Sequence, residues 1–171
     1  MYSTILLTLD GSDVSRQAIP HAVTLAKQTG CAVILLQVVD SEAQMIMRTS
    51  GATIEPMPVG EVSAQIAHEA VAAEHEEAQA NLDAVQAQMA AEGVTNVRTV
   101  IREGFAGDEI VAAATEANAD VVIIATHGRS GLRRAILGSV ADHVVRNTPH
   151  SSVLLVRSEE HTSELQSRLH L

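Results

Sequence analysis

Aromatic residues are almost missing from this chain, at 1% of 171 residues, with no tryptophan, one tyrosine and one phenylalanine. Proteins that hold single-stranded nucleic acid stack its bases on aromatic rings, so the scarcity argues against that class. Lysine is equally rare, Lys27 being the only one, and the formal charge is −10. Such a balance does not suit a DNA- or RNA-binding surface. The one cysteine, Cys31, leaves no internal disulfide and is expected to open a buried strand as a small hydrophobe. There is no charged-then-apolar leader and no apolar run near the roughly 18 residues of a membrane span, so no membrane partner is expected and the expected location is cytoplasmic.

Catalytic signatures are thin as well. The chain has no Gly-x-Ser-x-Gly elbow, no Cys-His pairing, and no Gly-Lys-Ser/Thr phosphate loop. Its eight histidines are scattered without metal-ligand spacing. Nothing in these patterns predicts more than slow turnover.

What is present is aliphatic. With 46% apolar residues, the core is Val, Ile, Leu and Ala, as a layered parallel α/β protein requires. Elements alternate along the chain. Strands are expected over Ser3–Leu9, Cys31–Val39, Asn96–Ile101, Asp120–Ala125 and Ser152–Val156. Helical spacing runs from Asp13 to Thr29, from Glu61 to Glu92, from Ala106 to Asn118, and from Gly138 to Asn147. Residues 40–60 show no clean period and read as a long mobile loop. The acidic cluster Glu74, Glu76, Glu77 reads as the solvated face of its helix, and Arg102 as a surface charge.

Repeated β-α units force parallel strands joined by right-handed crossovers. Five of them suit one doubly wound sheet, order 3-2-1-4-5, with helices on both faces. The first and fourth strands are then neighbours at the topological switch point, where open α/β sheets bind ligands beyond their carboxyl ends. Asp10-Gly11 ends the first strand and Thr126-His127-Gly128 the fourth, so segments far apart in sequence meet in one crevice.

The segment after the fourth strand carries the chemistry. Gly128 and Gly138 have nine residues between them, and Ser139 follows the second. Glycines there let backbone N–H groups approach a ligand, and Arg129, Arg133 and Arg134 add cationic density to an acidic protein. The pattern points to a bound anion, most simply the phosphates of a nucleotide. The plainer alternative makes Ser139 only the N-cap of the next helix, Arg133 and Arg134 solvated charges, and Asp10 a cap for the helix beginning near Asp13.

From Met1 to Arg157 the chain resembles the universal stress protein family, in the branch that binds ATP. That branch carries Gly, two residues, Gly, nine residues, Gly, then Ser or Thr; here Ala125 stands at the first glycine, followed by Thr126-His127, Gly128, nine residues, Gly138 and Ser139. Alanine is the smallest side chain that keeps strand geometry. The resemblance implies an adenine nucleotide alpha hydrolase-like fold and a homodimer through the C-terminal strand, Ser152–Val156, with further protein partners unknown. It also implies ATP, with Mg2+, as the ligand. Asp10 matches the acidic residue ending the first strand, and the backbone of Val38 the adenine contact. Ala125, His127, Gly128 and Arg129 would line the phosphate loop, with Gly138, Ser139 and Val140 at the helix start. The implied role is an ATP-binding dimeric sensor or switch in stress response, with a nucleotide-free scaffold of the same fold as the alternative. Residues 1–156 read as one domain. Residues 157–171 lack any period, resemble the in-frame translation of a sequencing adapter, and are set aside.

Overall fold

Strands that are apolar on both faces need a helical layer on each side. The computed structural model, which describes residues 2–50, 61–127 and 138–158, has that arrangement. The strands β1 (Thr4–Leu9), β2 (Ala32–Val39), β3 (Val97–Glu103), β4 (Val121–His127) and β5 (Ser152–Ser158) pair in parallel. They form a single sheet ordered β3-β2-β1-β4-β5, as expected. Around it lie α1 (Asp13–Arg16), α2 (Ile19–Thr29), α3 (Glu42–Ser50), α4 (Glu61–Ala91), α5 (Ala106–Glu116) and α6 (Ser139–Asn147).

Side chains alternate along each strand, so register decides which core each one enters. Ile5 pairs with Val33 on one side and Val121 on the other, and all three enter the same layer. There they meet Leu82, Val85 and Met89 of α4 and Ala22 and Val23 of α2. The next position along each strand faces the opposite way. Leu6, Ile34 and Val122 pack with Ile110 and Ala114 of α5 and Val144 of α6.

Three expectations need correction. The helix over Asp13–Thr29 is two helices. Pro20 lies in the first turn of α2, where it has no N–H to continue the helical ladder. The turn before it tightens instead, with Gln17 and Ala18 donating to the carbonyls of Val14 and Ser15 at 3.1 Å each. The second correction lies in the stretch read as a loop over 40–60, where α3 occupies Glu42–Ser50. Its start is a capping box: Ser41 N–H donates to Gln44 Oε1 at 2.9 Å, and Gln44 N–H to Ser41 Oγ at 3.4 Å. Third, β3, β4 and β5 all run past their expected ends. Thr126 pairs with Arg157 and His127 with Ser158, so the first two residues set aside with the tail complete β5. Among the described residues, no helix is long and apolar enough to cross a membrane.

Candidate functional site

Beyond the carboxyl ends of β1, β2 and β4 a cavity of about 520 Å3 opens on the α5/α6 side of the sheet. Strand alternation builds its floor: Thr8, Leu36, Ile124 and Thr126 line it, and Leu36 and Ile124 belong to the α5/α6 core. Ala106 and Ile110 of α5 form one wall. Gly138, Ser139 and Val140 at the start of α6 form another, and Asp10 and Ser15 close the β1–α1 side. The switch point therefore brings together Asp10, Val38, Ala125, Gly138, Ser139 and Val140, six of the residues singled out from sequence.

Asp10 does not cap α1. Ser12 does, accepting the N–H of Ser15 at 3.1 Å. Asp10 acts one step behind, its Oδ1 accepting the Ser12 N–H at 3.0 Å and the Ser12 hydroxyl at 2.6 Å. Partial burial pushes the carboxyl up, but the hydrogen bonds from Ser12 and Ser15 outweigh it and hold Asp10 below its ordinary value. Asp10 is thus a fixed anion at the cavity rim, an acceptor suited to hydroxyl groups.

Val38 presents backbone for a different reason. Ala32 N–H bonds to Ser3 and Val33 N–H to Asn96, so the even residues of β2 turn their peptide groups toward β1. The β1 ladder stops at Leu9–Gln37. The carbonyl of Val38 lies past that end, beside the cavity that Val38 lines.

Gly138 is the N-cap of α6, and no side chain caps this helix, so Ser139 is not the cap. The first helical bond here is Asp142 N–H to the Gly138 carbonyl at 2.9 Å. The amides of Ser139, Val140 and Ala141 precede it and have no helical acceptor, which makes this end a place for an anion. Gly138 has φ −57°, where any residue fits, and a Cβ built on it meets nothing within 4 Å among the described residues. Neither backbone strain nor packing accounts for a glycine there. Its backbone is left open to the cavity that Gly138 lines.

Ala125 lines the cavity, yet its side chain packs with the opposite core. The methyl group that replaces the motif glycine therefore points away from the ligand space, and the wall there is backbone. His127 is the last residue of β4, opposite Ser158. Gly128 and Arg129 lie outside the described residues, as do Arg133 and Arg134.

Sequence reasoning missed Thr8, Ser15, Ala106 and Ile110, and brought Thr126 to the crevice only as part of the end of β4. The alternation leading into Asp10 and His127 contains the signal for the two threonines. Thr8 also donates its hydroxyl to the Ile123 carbonyl at 3.2 Å, pinning β1 to β4 beneath the cavity. A second recess of about 450 Å3 shares Asp10 and Val38 but is walled by Asp40, Glu74, Glu77 and Arg48. Glu74 is more than a solvated charge, since it accepts the Asp40 N–H at 3.1 Å. Arg102 likewise is no free surface charge. It joins β3 to α5 through Glu109 at 2.6 Å and Glu116 at 2.8 Å, and these carboxylates raise its pKa. Deeper in, Arg16 donates to Asn81 Oδ1 at 3.1 Å and Asn81 to Gln37 Oε1 at 2.8 Å, linking α1, α4 and β2. Among the described residues, no three His, Cys, Asp or Glu side chains converge as metal ligands.

Known proteins share this architecture. The model of the universal stress protein family matches residues 1–157. A universal stress protein of Methanocaldococcus jannaschii is 34% identical over 157 residues, 92% of this chain and 83% of its own. The structure of the universal stress protein UspA from Lactobacillus plantarum aligns with a TM-score of 0.71 at 23% identity, covering 91% of this chain and 98% of that one. A universal stress protein solved in complex with cAMP aligns at 0.63 and 22% identity, over 92% and 98% of the two chains. The two structural likenesses speak for the fold.

Proposed function

The chain belongs to the universal stress protein family, and from that premise we propose that it binds an adenine nucleotide, ATP with Mg2+, in the cavity over β1 and β4. The observation that carries the reading is Gly138. It is a glycine required by neither φ nor packing, at the edge of a cavity and at the head of a helix whose first amides lack acceptors.

The base lies against Leu36, Ile110 and Ile124, with its exocyclic amine toward the Val38 carbonyl. Ribose hydroxyls donate to Asp10. Phosphates reach the amides of Ser139 and Val140, with His127, Gly128 and Arg129 completing the loop. Mg2+ would be held chiefly by phosphate oxygens, the usual arrangement for an ion that keeps several waters, with Asp10 the nearest protein carboxylate to the site. A cavity of about 520 Å3 falls within the roughly 300–1,000 Å3 of small-molecule sites. A protein of the same fold holds cAMP, which is an adenine ligand of the same class.

The function is binding rather than turnover: the nucleotide state sets the surface shown to partners. The assembly is a homodimer through β5, where Leu155 is exposed on an edge strand that copies of the chain would cover. The test is the nucleotide content of freshly purified protein by acid release and chromatography, followed by ATP titration with and without Mg2+. Bound or titratable ATP supports the reading. A chain that carries no nucleotide and ignores added ATP is a scaffold of the same fold.

A further inference from the structure

Phe105 is the only phenylalanine of the chain, and it is 66% exposed. It occupies the N-cap of α5 without any side-chain hydrogen bond, a position where Ser, Thr, Asp or Asn would satisfy a free amide. The ring thus gives up a cap and stays in water at a single residue, in a protein otherwise built from aliphatics.

Its neighbours fix where it stands. Gly104, at φ +136°, adopts a conformation that L side chains rarely reach, and its N–H donates to the Val39 carbonyl at 3.0 Å. That bond ties the turn between β3 and α5 to the end of β2, one residue from Val38. Ala106 follows directly and lines the cavity, as does Ile110 one turn later. Phe105 does not itself line the cavity, but it directly precedes Ala106 on the α5 wall and follows the turn tied to the end of β2. The cavity residues at that end, Leu36, Val38, Ile110 and Ile124, include no aromatic ring.

We propose that Phe105 closes over the base of the bound nucleotide and sets the preference of the site for a purine ring. The proposal rests on the nucleotide reading above. Aliphatic walls receive one face of the base, and the aromatic ring covers the other, with the larger purine offering more area to stack than a pyrimidine.

The experiment titrates ATP, UTP and inorganic tripolyphosphate, each with Mg2+, into the wild-type chain and into Phe105→Ala and Phe105→Trp. Unchanged thermal melting checks the fold of each variant. Phe105→Ala is expected to weaken ATP about tenfold, the size of one lost stacking contact, with tripolyphosphate unaffected and the ATP-over-UTP ratio narrowed. Phe105→Trp keeps ATP affinity, and because the chain has no other tryptophan, its emission reports the site directly. ATP quenches that emission and tripolyphosphate does not.

Wild-type ATP affinity in Phe105→Ala, or emission of Phe105→Trp that ignores ATP, overturns the proposal while leaving the nucleotide reading intact. Equal losses for ATP and tripolyphosphate also overturn it, because the effect would not lie at the base. A wild-type chain that binds no ATP overturns both.

Discussion

The two faces of the sheet are covered by different sets of helices and edged by different recesses. On one, the 31-residue α4 lies across the strands and sends fully buried Leu82 and Met89 into the core. On the other, α5 and α6 have 11 and 9 residues and share the work. At the carboxyl edge the starts of α5 and α6 wall a cavity floored by Leu36 and Ile124. The recess on the α4 side is edged by Asp40, Glu74, Glu77 and Arg48 instead. An aromatic base suits the first and would be badly solvated against the second. The lining of each recess, apolar over β1 and β4 and charged on the α4 side, favours the first for the proposed base.

The largest expected effect breaks the face without the proposed site. Leu82→Ala removes a fully buried side chain from the α4 core and should cost about 2–5 kcal/mol of stability. Urea denaturation would show it as a lower midpoint, with ATP affinity per folded molecule unchanged. A matching loss of affinity would mean the two faces are not independent.

Next comes Gly138→Val, on the face with the cavity. Its Cβ meets no atom of the described residues, so melting should shift little, by the roughly 1 kcal/mol of a poor cap. ATP affinity should fall at least about a hundredfold, since the branched side chain occupies the phosphate approach. Calorimetric titration decides; retained affinity would remove Gly138 from the site.

Asp10 offers a subtler test. Its carboxyl is held below the ordinary value in the folded chain. The stabilisation is therefore complete above the unfolded pKa and is lost as pH falls through the lower folded one. Asp10→Asn should flatten the dependence of the urea midpoint between about pH 5 and pH 2. Asp120, lowered by the N–H groups of Ser3 and Thr4 at the opposite rim, should keep its own share of the slope. An unchanged slope would show that Asp10 is not held as described.

The smallest effect belongs to Ala125→Gly. The methyl packs into the α4-side core, so ATP affinity should stay within about twofold or rise slightly, while stability drops by about 1 kcal/mol from glycine in a strand. A clear loss of affinity would place that methyl against the ligand after all.

Much of this was readable in the residues, for identifiable reasons. Strand order followed from β-α alternation and handedness, and order alone brought Asp10 to Gly138. Other features were written down but overlooked. Pro20 announces the break after α1, and Ser41 with Gln44 announces α3, although the missing period and later prolines of residues 40–60 masked it. Phe105, Ser15 and Ile110 were out of reach. Each depends on how far a helix sits along the sheet, which is set by packing between distant segments rather than by local pattern.

The hydrogen-bonded run Arg16–Asn81–Gln37 has a mechanical corollary. It fastens α1, whose Ser15 borders the cavity, to a point twenty residues from the start of α4 at Glu61. At a rise of about 1.5 Å per residue, that arm is about 30 Å long. A tilt of about 5° about Asn81 therefore swings the far end by about 2.6 Å. A rotation about this tie would therefore be smallest at Asn81 and largest at the first turn of α4.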